Sequence, residues 1–195
     1  NAKPVGITDG AKIWELLQHP ENTKYAYLVL RHSAQTLLAP QEYDLKDFIV
    51  PVDEDARGSF TESIQIFQGL VFIFDGQIET AKKHFQFLLD KTDNPMSQTL
   101  SQLYLLQIAL LERDHEKAEE YASNRGVKSF LSLKMADTQI MQAWYQFLVK
   151  KDMDQTDKAI KIARQNMVTS RLVRDEKRYY ENWLAELEKE LSEGV

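Results

Sequence analysis

The chain has 195 residues, of which 43% are hydrophobic and 28% charged, with only 7 Gly and 5 Pro. That is too apolar for a disordered chain, too poor in turn residues for an all-β sandwich, and enough sequence for one substantial core. A formal charge of −6 argues against a general nucleic-acid binder, which draws its non-specific affinity from Lys and Arg on phosphates, and the absence of cysteine removes disulfides, Cys-ligated zinc and thiol catalysis.

Asn1 and Ala2 before Lys3 read as the scar of a removed expression tag, so the chain is expected to be a portion of a longer protein. Thr8 or Asp9 is placed to cap a first helix through Ala11, Ile13, Trp14, Leu16 and Leu17, ending before Pro20. A second begins near Asn22 or Thr23 and carries Tyr25, Tyr27, Leu28, Val29, Leu30 and Leu37 to Pro40. Residues 40–58 hold Pro40, Pro51, the acidic run Asp53, Glu54, Asp55 and then Gly58, which predicts a connection with one short helical turn around Tyr43 to Ile49.

Ser59 with Glu62 fits a capping box, in which each side chain satisfies a free backbone N–H of the first turn. The predicted helix runs through Ile64, Phe67, Leu70, Val71 and Phe74 to Asp75 and Gly76, apolar on more than one flank. A partner helix with Ile78, Ala81, Phe85 and Leu88 stops before Pro95, completing a helical hairpin. The arrangement recurs. Leu100 to Leu111 precede Ala118, Tyr121 and Ala122, closed by Gly126; after Val127 to Leu133, Ile140 to Leu148 precede Ala159, Ile162, Ala163 and Met167. A polar helix with a stripe of Tyr180, Trp183, Leu184, Leu187 and Leu191 ends the chain, as a cap on the last repeat should. No apolar run reaches the roughly 20 residues that span a bilayer, since Ile64 to Phe74 is short and broken by Gln65 and Gln68.

Ala81, Ala118 and Ala159 fall in one column, early in the second helix of each pair, preceded by Glu79, Glu116 and Asp157. In the first pair Gly69, Phe72, Gly76, Ala81 and Phe85 complete a pattern that resembles the tetratricopeptide repeat, over roughly residues 60–168. The later pairs are degenerate: Leu106 replaces a small residue, and Ala122 and Ala163 replace an aromatic one. The expected fold is therefore all-α: antiparallel helical hairpins stacked as a short α-solenoid. The expected parts are N-terminal helices and linker (1–58), three hairpins (59–170) and a C-terminal capping helix (171–195), forming one continuous domain.

The resemblance implies a non-catalytic module that holds a protein or peptide on the concave face lined by the first helices of the pairs. Here that face comprises Ile66, Leu70 and Ile73, then Leu103, Gln107 and Leu110, then Met141, Trp144 and Leu148, without a Lys and Arg clamp for a carboxylate. Such an apolar face needs a cover. Three are open: the N-terminal helices folding back, a second copy making a homodimer, or a partner helix or peptide. Stripes at helical spacing more often form core than a binding site, which favours the first.

Other chemistry is sparse. His19, His32, His84 and His115 sit on different elements without metal-ligand spacing, and no phosphate loop, nucleophile elbow or other cofactor motif occurs. Lys150, Lys151, Lys158, Lys161, Arg164, Arg171, Arg174, Lys177 and Arg178 are interrupted by Asp152, Asp154, Asp157, Asp175 and Glu176, which reads as a mixed-charge face. Two further functions stay open: a sensor holding a small apolar ligand or signalling peptide, marked by an unfilled pocket of a few hundred cubic ångström, and an enzyme marked by clustered carboxylates with perturbed pKa values in a cleft. Cysteine usage leaves the compartment open between cytoplasm and export.

Overall fold

The computed structural model of the chain describes residues 9–53 and 56–193. Among them there is no strand, and of the ten α-helices each from the second to the ninth packs against the next. They are α1 (Asp9–Gln18), α2 (Thr23–Leu38), α3 (Ser59–Phe74), α4 (Ile78–Lys91), α5 (Pro95–Leu111), α6 (His115–Ser123), α7 (Arg125–Leu131), α8 (Ala136–Tyr145), α9 (Met153–Val168) and α10 (Arg174–Glu193).

The three expected hairpins are α3/α4, α5/α6 and α8/α9, and each is made by the same backbone device. A residue in the left-handed region follows the first helix: Gly76 (φ 73°), Arg113 (φ 59°) and Lys151 (φ 54°). At the first turn the N–H of Gln77 donates to Phe72 O (2.8 Å) and that of Gly76 to Ile73 O (3.0 Å). At the second, Asp114 donates to Ala109 O (2.9 Å) and Arg113 to Leu110 O (3.2 Å). These paired bonds satisfy carbonyls that a helix end leaves free. Asp114 and Asp152 then cap the following helices by accepting from the N–H groups of Lys117 and Gln155.

The alanine column is buried, with Ala81, Ala118 and Ala159 at 0, 0 and 4% exposure. Between α3 and α4 the approach is closest at Gly69, where a methyl group would land on the Phe85 ring. Overpacking of that kind forces side chains off their rotamers.

Two local expectations give way, and two are met with added detail. Ser59 and Glu62 do not form a capping box: α3 is entered from Gly58 (φ 117°), and the carboxylate of Glu15 on α1 accepts from Ser59 N–H (3.1 Å) and Ser59 Oγ (2.7 Å). Glu62 is recruited by the α4–α5 connection, accepting from Thr92 Oγ1 (2.6 Å), Asn94 Nδ2 (2.9 Å) and Ser97 Oγ (2.6 Å). Gly126 does not end α6. Asn124 breaks that helix and caps a new one, α7, by accepting from the N–H groups of Gly126 (2.8 Å) and Val127 (3.3 Å). The helix begun by α8 continues as a wider π turn, Gln146–Lys150, before Lys151. Finally, the short helical turn expected within 40–58 is present and does more than connect. A turn of 3-10 helix, Leu45–Phe48, sinks Leu45 and Phe48 into the core beside Ile66, Leu70 and Ile73. Thr8, proposed as a cap, and the acidic residues 54 and 55 lie outside the described residues.

Segment 41–47 is also tied to the start of α10, far along the sequence. Asp175 accepts from Leu45 N–H (2.9 Å), Arg174 N–H donates to Tyr43 O (2.9 Å), Gln41 Nε2 donates to Leu172 O (2.8 Å), and the Arg174 guanidinium pairs with Asp44.

Candidate functional site

All nine residues of the expected concave face are buried: Ile66, Leu70, Ile73, Leu103, Gln107, Leu110, Met141, Trp144 and Leu148. What covers them is the chain itself, chiefly from its far end. Helix α10 packs against α3, α8 and α9 as well as segment 40–48, so it spans the hairpins instead of capping only the last one. Its stripe of Tyr180, Trp183, Leu184 and Leu187 is buried, and Trp183 stacks on Trp144. Gln107, a polar side chain with 0% exposure, is answered by two tyrosines: its Nε2 donates to Tyr179 Oη (3.3 Å) and its Oε1 accepts from Tyr180 Oη (3.4 Å). A buried amide satisfied in this way fixes the register of α10 over α5. Leu45 and Phe48 cover the α3 part of the face. Of the N-terminal helices, α2 reaches α3 through Tyr25 and Ala26, in a separate cluster with Phe60 and Ile64.

Two of the other open regions bear on function. The first is the outer side of α2, where Tyr27, Leu30, Ala34, Leu37 and Leu38 are exposed while Tyr25 and Ala26 face inward. On α1, Ile13, Trp14 and Leu17 are exposed as well. The second is a pocket of about 500 Å³ where α2, the start of α8, the end of α9 and the start of α10 meet. His32 and Thr36 come from α2, Asp137 from α8, Asn166 from α9, Glu176 from α10, and Lys134 and Arg171 are exposed among its lining residues.

The pocket is electrostatically unusual. Asp137 and Glu176 are largely surrounded by protein, and burial raises both carboxyls above their ordinary range. For Glu176 burial dominates and the neighbouring charges of Asp137 and Asp175 add to it, placing the group at about 8 even though it accepts from Val173 N–H (3.0 Å). Tyr104 and Tyr180 are raised by burial and then by the charges of the same acids. His32 offers no compensating charge. Its ring packs on Phe48 (4.8 Å) and Phe67 (4.5 Å), its Nε2 is sealed from solvent without a partner, and burial lowers its pKa.

None of these pocket residues was singled out in the sequence as a site. Asp137 and Glu176 each stand in the first turn of a helix, where acids are common for dipole reasons, so neither carries a distinguishing signal. Of the other histidines, His84 donates to Gln65 O (2.7 Å) and His19 contacts Glu21. Among the described residues no group of His, Asp or Glu is placed to hold a metal, and no helix is long and apolar enough to cross a membrane. The mixed-charge face is partly neutralised, with Lys150 on Glu119, Arg164 on Glu188 and Arg174 on Asp44. No protein-family model, no curated protein and no solved structure matches this chain.

Proposed function

We propose that the chain is a non-catalytic protein-interaction module that receives an amphipathic helix of a partner protein along the outer side of α2. The observation that carries this reading is spacing. Tyr27, Leu30, Ala34 and Leu37 follow steps of three, four and three, the a/d alternation that lets one helix seat its side chains between those of another. Leu30 and Leu37 are 58% and 60% exposed, while the other side of the helix is fixed to α3. From Tyr27 to Leu37 the seam runs about 15 Å along α2. Leaving it in water is costly, and an apolar partner helix offsets that cost. The resemblance to tetratricopeptide repeats supports the interaction class, while the concave face expected to serve it is occupied by α10.

The test is selection of binders from a displayed library of amphipathic helical peptides, followed by titration against wild type and Leu30→Glu/Leu37→Glu. Both substitutions are at exposed positions, so the variant should melt with the wild type and lose binding at least tenfold. Absence of helical binders, or binders indifferent to the two charges, would overturn the reading. Light scattering on the same samples shows whether the partner helix is a second copy of this chain.

A further inference from the structure

We propose that the pocket between α2, α8, α9 and α10 binds a small molecule through a primary ammonium group seated at Asp137 and Glu176, with an anionic group of the same ligand turned toward Lys134 and Arg171. This is independent of the partner helix on the outer side of α2.

The cavity has the right scale, since about 500 Å³ lies within the range of small-molecule sites. Its chemistry is incomplete without a cation. Elsewhere in the molecule partly buried carboxylates are answered: Asp44 by Arg174, Glu190 by Arg113, Glu112 by Lys82 and Glu62 by three donors. Asp137 and Glu176 come from two different helices into one pocket, and among the described residues neither has a salt-bridge partner. Asp137 is part-exposed at the pocket wall and, among the described residues, takes backbone hydrogen bonds alone, from Thr138 and its own N–H. Removing carboxylates from water without a counter-charge is expensive, and burial accordingly raises both carboxyls, Glu176 to about 8.

A ligand ammonium supplies the counter-charge that the two acids lack, together with three donors. Tyr104 on α5 and Tyr180 and Asp175 on α10 act on them electrostatically, and His32 on α2 lines the same pocket; none of the four carries a cation at neutral pH, His32 because burial lowers its pKa. A metal ion is a poorer fit, because no third ligand of the metal-binding types converges there among the described residues. Lys134 and Arg171 decide the rest of the ligand. Both are exposed lining residues without a salt-bridge partner among the described residues, and they repel a second cation while receiving a carboxylate or phosphate. A free amino acid has this charge arrangement.

The experiment is a thermal-shift screen of the intact protein with the L-amino acids, their N-acetyl derivatives and putrescine, each to 10 mM, with calorimetry on any that respond. At least one amino acid should raise the melting temperature, and its N-acetyl derivative, which lacks the ammonium, should bind at least tenfold more weakly. Binding should release protons and tighten between pH 6 and 8. Asp137→Asn and Glu176→Gln should each weaken it more than tenfold, and Arg171→Ala should weaken an amino acid but spare a simple amine. Putrescine binding where amino acids fail keeps the ammonium site and overturns the role of the two cations. No response from any primary amine, or equal binding of the N-acetyl derivatives, overturns the proposal without reference to any variant.

Discussion

The indole N–H of Trp144 donates to the carbonyl oxygen of Trp183 at 3.2 Å while the two rings stack with centroids 5.8 Å apart and planes 18° from parallel. One residue belongs to α8 and the other to α10, so this pair joins the third hairpin to the helix that covers all three. Trp183→Ala leaves a cavity beside Trp144 and should cost about 3–5 kcal/mol of stability. Urea denaturation measures that loss, and binding of a hydrophobic dye reports whether α10 has also lifted from the face.

The three hairpin turns differ in what occupies their left-handed residue. Gly76 adopts it freely, whereas Lys151 bears the crowding of its own Cβ. Lys151→Gly should therefore stabilise by roughly 0.5–1 kcal/mol. Gly76→Ala should cost about 1 kcal/mol from conformation alone, since nothing lies near the added methyl group. Chemical denaturation of the two variants tests both signs at once. Arg113 is the poorer site for this comparison, because its guanidinium also lies 4.7 Å above Trp144 and pairs with Glu190.

Glu62 holds the connection between α4 and α5 through three hydrogen bonds. Glu62→Ala strands Thr92 and Ser97, both buried, and should destabilise by roughly 2 kcal/mol. Faster amide exchange should appear first at the N-terminal end of α5.

The acid pair sets a pH dependence. Glu176 binds its proton more tightly in the folded chain (about 8) than at its ordinary value of 4.5, so folding is favoured while it is protonated. Its contribution is full below pH 4.5 and is lost as pH rises toward 8, at no more than roughly 1.4 kcal/mol per pH unit. Asp137 acts in the same direction. Glu176→Gln should flatten the fall in stability between pH 5 and 8, and a variant that keeps the wild-type slope would show that other groups set it.

Much of the fold was legible because it rests on local rules. The 3.6-residue periodicity of α3, the alanine column and the Asp75–Gly76 stop all act within a few residues of one another. What escaped is what depends on distant sequence. Ser59 and Glu62 match a capping pattern, but Glu15 and the 92–97 turn compete for the same groups and win. Gly126 matches a helix stop, but Asn124 caps the next helix and takes Gly126 into its first turn. The cover on the inner face was expected from the first two helices, whereas the Tyr and Trp stripe of α10 meets Gln107 and Trp144, a pairing that no periodicity reveals. The pocket was illegible for the same reason: His32, Asp137 and Glu176 are unremarkable in their own helices and acquire a role only by meeting.

The position of α10 has a consequence for how the molecule comes into being. The α5 and α8 parts of the inner face are synthesised before the helix that shields them, and at roughly 5–20 residues per second Leu103 and Leu110 wait on the order of ten seconds for Trp183 and Leu187. During that interval a growing chain displays its Leu, Ile and Trp side chains to whatever is nearby. Nascent chains that meet each other in this window can exchange their last helices, so the temperature and crowding at which the protein is made should govern the yield of single, self-closed molecules.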